Sequence, residues 1–225
     1  TGVPAPGGLA VDPVAPSAEP QPALPDLNPP PTAVRPIAQL WNSYILAEGA
    51  SGLLIIDQHL AHERVLFDRL RAAPEGEGAA SQRLAVPVTL QLNHREALFA
   101  GELLPELTRI GFVLEPFGRD AHVIRAVPPF VQPGSELTTL RQLLDELQEN
   151  RQSGGPASPR LLPDRVAATA ACNAAVKKGS RLAMEEVRQL LEDLGRTSNP
   201  HTCPHGCPIS VQVSYQELLK RFKRI

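Results

Sequence analysis

The sequence predicts an α/β fold of the α+β type, because strand-like and helix-like segments are mixed along the chain without a regular strand–helix–strand alternation. Short apolar runs at residues 44–47 and 53–56 flank a stretch with two glycines, which is the pattern of a β-hairpin. Leu66, Phe67 and Leu70 then form an apolar stripe that predicts a helix over residues 60–70. A length of 225 residues permits one or two domains with an ample core.

The remaining elements follow from the same two periodicities. Strands are predicted at residues 84–92, 112–117, 121–127 and 209–213. Helices are predicted at residues 95–110, 136–149, 164–177 and 182–194, with a basic helix at the end of the chain. Gly111 follows the first of these helices and is expected to end it, and Pro105 is expected to kink it. Residues 153–163 contain two glycines and three prolines and predict a loop.

The first residues differ from the rest in composition, because 11 of the first 36 are proline. Proline cannot donate a backbone hydrogen bond, and few aromatic residues are available there to form a core. Residues 1–33 are therefore predicted to be a disordered linker, and ordered sequence is expected to begin near Ala33. A chain that opens on such a linker is expected to be the back half of something longer.

Charge and targeting signals narrow the possible partners and location. A net charge of −2 argues against strong general affinity for nucleic acid. Four cations in the last six residues could contact phosphate or form a solvated face: Lys220, Arg221, Lys223 and Arg224. The sequence shows no signal peptide and no apolar run of membrane length. Three cysteines, an odd number, favour reduced thiols in the cytoplasm.

Three short segments carry an unusual share of metal-binding side chains. Asp57, His59 and Glu63 follow the predicted hairpin, Cys172 lies in an alanine-rich stretch, and Cys203, His205 and Cys207 lie near the end of the chain. On a helix, residues four apart share a face, roughly 5–6 Å apart at Cβ. Nitrogen, sulfur and carboxylate oxygen are the donors that zinc and its neighbours accept. If the fold joins these segments, they predict one metal site.

Each segment also has a purely structural interpretation. Asp57 and His59 could cap the helix while Glu63 faces solvent. Cys172 could be a small buried residue in a tightly packed helix. A closed zinc site, which would stabilise the domain without doing chemistry, could be built from Cys172, Cys203, His205 and Cys207.

Taken in order, these segments resemble the C-terminal domain of the MutL family of DNA mismatch repair proteins, over essentially residues 35–225. Members with endonuclease activity carry Asp-Gln-His-Ala, two residues, Glu, four residues, Glu; residues 57–68 read Asp-Gln-His-Leu-Ala-His-Glu-Arg-Val-Leu-Phe-Asp. The family's Ala-Cys motif matches residues 171–172, with Lys177 following. Its Cys-Pro-His-Gly-Arg-Pro motif matches residues 203–208, and its terminal Phe-Lys-Arg matches residues 222–224. Four motifs in the same order make the resemblance very specific.

The resemblance implies a metal-dependent latent endonuclease that nicks one strand of duplex DNA during mismatch repair. It implies catalytic roles for Asp57, His59 and Glu63, with Glu63 bridging metals and Asp57 supporting the site or binding a second ion. The implied metal ligands are His59, Glu63, Cys172, Cys203 and His205. Thiolate and imidazole suit Zn²⁺, and carboxylates suit Mn²⁺ or Mg²⁺, so a mixed site is expected. ATP would belong only to a front-half ATPase domain, which is absent from this chain.

The resemblance also implies an architecture and partners. A dimerisation subdomain with a mixed sheet and helices is expected to consist of residues 34–75 and 175–225 and to carry most of the metal site. Residues 76–174 are expected to form an inserted external regulatory subdomain. The implied partners are a second copy of the chain, duplex DNA bound weakly and without sequence preference, the replication sliding clamp, and the mismatch-recognition protein MutS. No membrane partner is expected, and the resemblance implies a cytoplasmic protein associated with the nucleoid.

A smaller match concerns the clamp. Gln82, Leu84 and Pro87 fit the Gln-x-Leu/Met-x-x-Pro segment with which bacterial members of the family bind the sliding clamp. The alternative is an ordinary edge strand in which Pro87 marks the edge.

Three residues depart from the family's motifs. Leu60 replaces an alanine, Asp68 replaces the final glutamate with a shorter reach, and Cys207 replaces an arginine that would lie near substrate phosphate. The rival interpretation is a non-catalytic dimerisation and scaffold module with structural zinc. A sequence-specific DNA reader is disfavoured, since no recognition motif is found.

Overall fold

A computed structural model describes residues 34–72, 80–153 and 162–225. The predicted linker at residues 1–33 lies outside the described residues. Within them, six helices accompany two separate sheets, which confirms the predicted α+β class. Among the described residues, no helix has the length and apolar character needed to cross a bilayer.

The first sheet contains β1 (Arg35–Leu40), β2 (Tyr44–Gly49), β3 (Gly52–Asp57) and β7 (Ser210–Ser214), in the order β1-β2-β3-β7. The predicted hairpin is confirmed, because β2 and β3 are paired along their length and end with Gly49 opposite Gly52. Gly52 has φ +145°, and a Cβ there would lie 2.2 Å from the carbonyl oxygen of Val213, so only glycine fits. Every pairing in this sheet is antiparallel, where a mixed sheet was expected. Strand β1 was not predicted as a strand.

Helix α1 (Gln58–Arg71) begins directly at the end of β3. It starts two residues earlier than predicted, because the Asp57 side chain accepts hydrogen bonds from the first backbone N–H groups of the helix. Helix α1 contributes to two different cores. Ala61 and Val65 pack with the first sheet and α5 (Met184–Gly195), whereas Phe67 and Leu70 pack into the second core.

The second sheet contains β4 (Gln82–Gln91), β5 (Val113–Pro116) and β6 (Ala121–Val127), in the antiparallel order β4-β6-β5. Its core is completed by α2 (His94–Arg109), α3 (Glu136–Ser153) and α4 (Leu162–Ala174). The Asn93 side chain caps α2, and Gly111 follows the end of that helix with φ +102°. The division of the chain into two subdomains at residues 76 and 174 stays a prediction; the two hydrophobic cores are joined through α1.

Several boundaries differ from the sequence-based prediction. Helix α3 continues to Ser153, and α4 begins at Leu162, so residues 153, 162 and 163 of the predicted loop are helical. The rest of that predicted loop, residues 154–161, lies outside the described residues. Pro163 lies in the first turn of α4, where a missing N–H costs nothing. Helix α4 ends at Ala174 rather than at residue 177, because the peptide groups of Val176 are bound by side chains of α1. A short helix α6 (Tyr215–Arg221) follows β7.

Candidate metal centre

The amino end of α1 is fixed by Asp57. Its Oδ1 accepts hydrogen bonds from the backbone N–H groups of His59 at 2.9 Å and Leu60 at 3.1 Å. The Asp57 N–H donates to the carbonyl oxygen of Ile209, 2.9 Å away, which ties the Cys203-containing loop to the same point. The capping interpretation of Asp57 therefore describes its observed contacts, and its carboxylate lies outside the two candidate ligand groups found among the described residues.

Two histidines of α1 contact the backbone of Val176, one at its carbonyl oxygen and the other at its N–H group. The Nδ1 atom of His59 lies 2.9 Å from the Val176 carbonyl oxygen, so Nδ1 carries the proton and Nε2 has a free lone pair. The Val176 N–H donates to Nδ1 of His62 at 3.0 Å, so that nitrogen is unprotonated. Burial, and then the positive charge of Arg69, hold the pKa of His62 below its usual value. Both rings are thereby held in one tautomer and one orientation.

Glu63 is the centre of the cluster. Its side chain is 2% exposed, although an isolated buried carboxylate is costly. The potential ligand atoms of His59, Glu63 and Cys172 lie within 4.8 Å of one another. The potential ligand atoms of Glu63, Cys203 and His205 also lie within 4.8 Å of one another. The fold thus brings all five predicted metal ligands together in two groups that share the Glu63 carboxylate.

The second group is shaped by a tight turn. The Cys203 N–H donates to the Cys207 carbonyl oxygen and the Gly206 N–H to the Cys203 carbonyl oxygen, both at 2.9 Å. Gly206 has φ +84°, a left-handed conformation that glycine adopts without strain. Cys203 is 2% exposed, and its side chain forms part of the core under the first sheet. The turn therefore holds the thiol of Cys203 and the ring of His205 against α1.

The contacts of Glu63 fit a bound cation. Its Oε1 lies 2.7 Å from Nδ1 of His205, yet this buried oxygen has no hydrogen bond of acceptable geometry. The two atoms are close enough to share one cation, which is a proton on His205 when no metal is bound. The neighbouring Cys203, and then Glu63, raise the pKa of His205 to about 10, which means that this position stabilises positive charge. Sulfur, imidazole and carboxylate together form a donor set suited to Zn²⁺.

The thiols differ in their environments. Burial raises the pKa of Cys172, and the negative charge of Glu63 adds to the effect. Burial also opposes ionisation of Cys203, but its interactions with His205 and Cys207 outweigh this and lower the pKa of Cys203. Cys207 is exposed and belongs to neither candidate ligand group among the described residues. The four residues of the closed-site alternative, Cys172, Cys203, His205 and Cys207, therefore do not form one of the candidate ligand groups found among the described residues.

Asp68 anchors the loop before Cys203. Its Oδ2 accepts a hydrogen bond from the Ser198 N–H at 2.6 Å, and its Oδ1 lies 3.3 Å from Nη1 of Arg64. Buried Arg64 in turn donates from Nε to the Thr202 carbonyl oxygen at 2.8 Å. The shorter aspartate in place of the family's glutamate thus reaches a backbone N–H and an arginine. Its role is to position the loop, which the motif alone did not reveal.

Gln58 is a second residue whose role was missed. Its side chain is fully buried, and Nε2 donates to the carbonyl oxygens of Asn42 at 2.7 Å and Ser180 at 3.0 Å. Its Oε1 accepts from Nε2 of Gln39 at 2.5 Å. The sequence feature that could have indicated this role is the amide side chain between Asp57 and His59, at the start of a helix. Gln58 joins the β1–β2 turn and the segment after α4 to the helix that carries the cluster.

The other predicted contact residues lie elsewhere. Gln82, Leu84 and Pro87 are on β4, at the edge of the second sheet, where the pairing with β6 is interrupted between Arg83 and Val88. Of the basic C-terminal residues, Lys220 and Arg221 end α6, and Lys223 and Arg224 follow it. The start of α6 is fixed by the Tyr215 N–H, which donates to the Ser51 carbonyl oxygen. That contact is at the opposite end of β3 from Asp57, about 17 Å along the strand. Neither segment belongs to the candidate ligand groups.

The fold and the cluster define an α+β domain with a buried carboxylate shared by two thiolate- and imidazole-containing groups. The family model for the MutL C-terminal dimerisation domain matches residues 37–182. The DNA mismatch repair protein MutL of Desulforudis audaxviator is 43% identical over 192 residues, covering 85% of this chain and 33% of the relative. The MutL proteins of Symbiobacterium thermophilum and Koribacter versatilis are 38% and 36% identical, covering 85% and 91% of this chain and 30% and 31% of their own lengths. This chain belongs to the MutL family, and it contains the C-terminal dimerisation domain.

Proposed function

We propose that this domain is a metal-dependent endonuclease that nicks one strand of duplex DNA during mismatch repair. The observation that carries the proposal is the buried Glu63 carboxylate, which lies within ligand distance of both groups. A buried carboxylate is costly to remove from water, and this one lies among thiol and imidazole groups that can bind a metal together with it. The chain spans about a third of the length of the curated relatives it matches, so this activity is a proposal about the domain within a larger protein.

The ligands of the proposed site would be His59 and Cys172 on one side, Cys203 and His205 on the other, with Glu63 between them. Bound metal ions would supply an activated water and neutralise charge on the attacked phosphate and the leaving oxygen. The contact between His59 and Val176 keeps the Nε2 lone pair available. Asp57 uses Oδ1 for both of its capping bonds, which leaves Oδ2 for a second cation or a proton. Zn²⁺ for the thiol-rich group and Mn²⁺ or Mg²⁺ for catalysis fit this donor set.

The direct test is nicking of supercoiled plasmid by the 225-residue chain with added Mn²⁺. We expect slow conversion to the relaxed circle, which chelation abolishes. If the highly purified chain showed no Mn²⁺-dependent nicking, alone or with loaded clamp, the scaffold interpretation would be preferred. The proposed domain does not use ATP, and MutS would act through the larger protein.

The first sheet has a surface suited to the dimerisation that the family description names. On the first sheet, directly paired residues share a face, and Leu46, Ile55 and Val211 form one apolar row across three strands. Leu53 and Val213 form the next row. These side chains remain partly or largely exposed in one chain, whereas the opposite face packs on α1 and α5. We propose that two copies cover this face together.

Replacing Val211, which is 60% exposed, with glutamate should therefore convert the dimer into a monomer. The change places a charge at the centre of an apolar interface. Analytical ultracentrifugation measures the mass of the particle directly. Leu98→Glu is the matched control, because Leu98 is also 60% exposed but lies on α2, away from the first sheet. A dimeric Val211→Glu variant would contradict the assignment of this face.

The clamp proposal rests on the edge position of residues 82–87. Gln82 and Pro87 are exposed, Leu84 is half-buried, and the pairing with β6 is interrupted between Arg83 and Val88. An exposed, unpaired edge can accept a partner without rearrangement of the core. Clamp binding would raise the effective concentration of DNA at a domain whose own affinity is low.

The double substitution Gln82→Ala/Pro87→Ala should remove clamp-stimulated nicking and leave basal Mn²⁺-dependent nicking unchanged. Comparing nicking rates with and without loaded clamp measures both quantities. Thr89→Ala, an exposed change on the same strand, is the control that should retain stimulation. Equal loss of basal and stimulated rates in the double variant would show that the segment is structural.

A further inference from the structure

The turn between β1 and β2 presents an unusual side chain to solvent. Trp41 is 80% exposed, and it is the only tryptophan in the chain. Trp41 and Asn42 have φ +49° and +48°, a left-handed conformation that is rare for a bulky side chain. The Ser43 N–H closes the turn by donating to the Leu40 carbonyl oxygen at 3.0 Å. Such backbone strain clusters where a side chain has a task.

The orientation of Trp41 is partly fixed. Its ring meets that of Tyr44 edge to face, with centroids 6.3 Å apart and an interplanar angle of 85°. The Ser43 hydroxyl donates to the Trp41 carbonyl oxygen at 3.0 Å. An aromatic ring that is supported at its edge and open to solvent is a stacking platform.

Positive charge flanks this platform. The Gly179 N–H donates to the Asn42 carbonyl oxygen at 3.0 Å, which places the segment after α4 beside the turn. Lys178 and Arg181 on that segment are exposed, and among the described residues neither forms an ion pair with a carboxylate. Local cations on a chain of net charge −2 favour a polyanionic partner at this position.

The same turn is bonded to the metal cluster. Gln58, next to His59, donates to the carbonyl oxygens of both Asn42 and Ser180. The segment that carries Lys178 and Arg181 also contains Val176, whose carbonyl oxygen contacts His59. Hydrogen bonds therefore connect the segments that carry the platform, the cations and the candidate ligands.

We propose that Trp41, Lys178 and Arg181 form the DNA-positioning surface of the cluster. Lys178 and Arg181 contact backbone phosphates, and Trp41 packs against a nucleobase that is partly unstacked beside the phosphate that is cleaved. This inference rests on the proposed function in one respect, the choice of DNA as the ligand. It assigns substrate positioning to this surface rather than to the basic residues at the end of α6 and after it.

The emission of Trp41 provides the test, because no other tryptophan contributes to it. A short duplex is titrated into the 225-residue chain at low salt with a chelator, so that binding is measured without cleavage. We expect saturable quenching of the emission by base stacking. Lys178→Ala/Arg181→Ala should weaken binding and reduce the slope of log affinity against log salt by about two, one for each phosphate that is no longer neutralised.

Variants at Trp41 separate stacking from folding. Trp41→Asn preserves the turn, since asparagine tolerates the left-handed conformation, and should weaken binding of a labelled duplex by about five-fold or more. Trp41→Phe should restore most of the affinity. Lys220→Ala/Arg224→Ala is the charge-matched control and should bind as the parent chain does. Affinity for Zn²⁺ and Mn²⁺ should be unchanged in all of these variants.

Unchanged emission at duplex concentrations that saturate binding would overturn the inference, as would wild-type affinity of Trp41→Asn or a larger loss in the Lys220/Arg224 control. A chain that nicks plasmid but shows any of these results refutes this surface alone. A chain that shows the expected quenching but never nicks refutes the nuclease and leaves the surface standing.

Discussion

Replacing Glu63 with glutamine is expected to abolish Mn²⁺-dependent nicking and to remove metal from both ligand groups at once. The carboxylate is the only residue common to the two groups found among the described residues. Glutamine keeps the size of the side chain but removes the charge that neutralises the cations. A decrease in charge stabilisation of several kcal/mol corresponds to a decrease in rate of roughly a thousand-fold. The initial rate of relaxed-circle formation and the bound metal measured by mass spectrometry report on both effects.

The fold should survive this substitution, because a neutral amide is less costly to bury than a carboxylate and can still accept a hydrogen bond from His205. Circular dichroism and sedimentation of the Glu63→Gln variant should match those of the parent chain. Glu185→Gln is the control, since Glu185 is an exposed residue of α5 that contacts Arg188. Retained nicking by highly purified Glu63→Gln would rule out Glu63 as the shared ligand.

Asp57→Asn and Asp57→Ala should both lose nicking, and only the alanine variant should lose stability. Asp57 caps α1 through Oδ1, and an asparagine side chain supplies the same acceptor without the charge. Alanine removes the cap, which costs about 1 kcal/mol in the free energy of unfolding. Urea denaturation measured beside the nicking rate separates the two roles.

The matched control for the Asp57 pair is Asn93→Ala. Asn93 caps α2, a helix that packs in the second core. As with Asp57, its side-chain oxygen accepts two backbone hydrogen bonds, here from the N–H groups of Arg95 and Glu96. The Asn93→Ala substitution should lower the free energy of unfolding by about as much as Asp57→Ala does, and the nicking rate should be unchanged. If Asp57→Asn nicked DNA at the parent rate, the role of Asp57 would be structural only.

The sequence predicted well those features that local chemistry determines. Two apolar runs around Gly49 and Gly52 predicted the hairpin, and the helix after it was correct apart from its first two residues. Residues 171–172 and 203–208 were expected to approach Glu63 only because of the family resemblance. No periodicity within the chain predicts that segments more than a hundred residues apart meet.

What the sequence did not predict are contacts that use backbone atoms of distant segments. The Val176 residue, bound by His59 and His62, and the Asn42 and Ser180 carbonyls, bound by Gln58, have no signature in residue types. The same reason explains why Asp68 was regarded as a weakened motif position. Its partner is the backbone N–H of Ser198, which almost any residue could supply.

Anomalous diffraction from crystals of this chain grown with Zn²⁺ and Mn²⁺ tests the central claim most directly. The proposed arrangement predicts metal peaks within bonding distance of the Glu63 carboxylate, one beside His59 and Cys172 and one beside Cys203 and His205. A single zinc bound by Cys172, Cys203, His205 and Cys207, with Glu63 outside its coordination sphere, would contradict it.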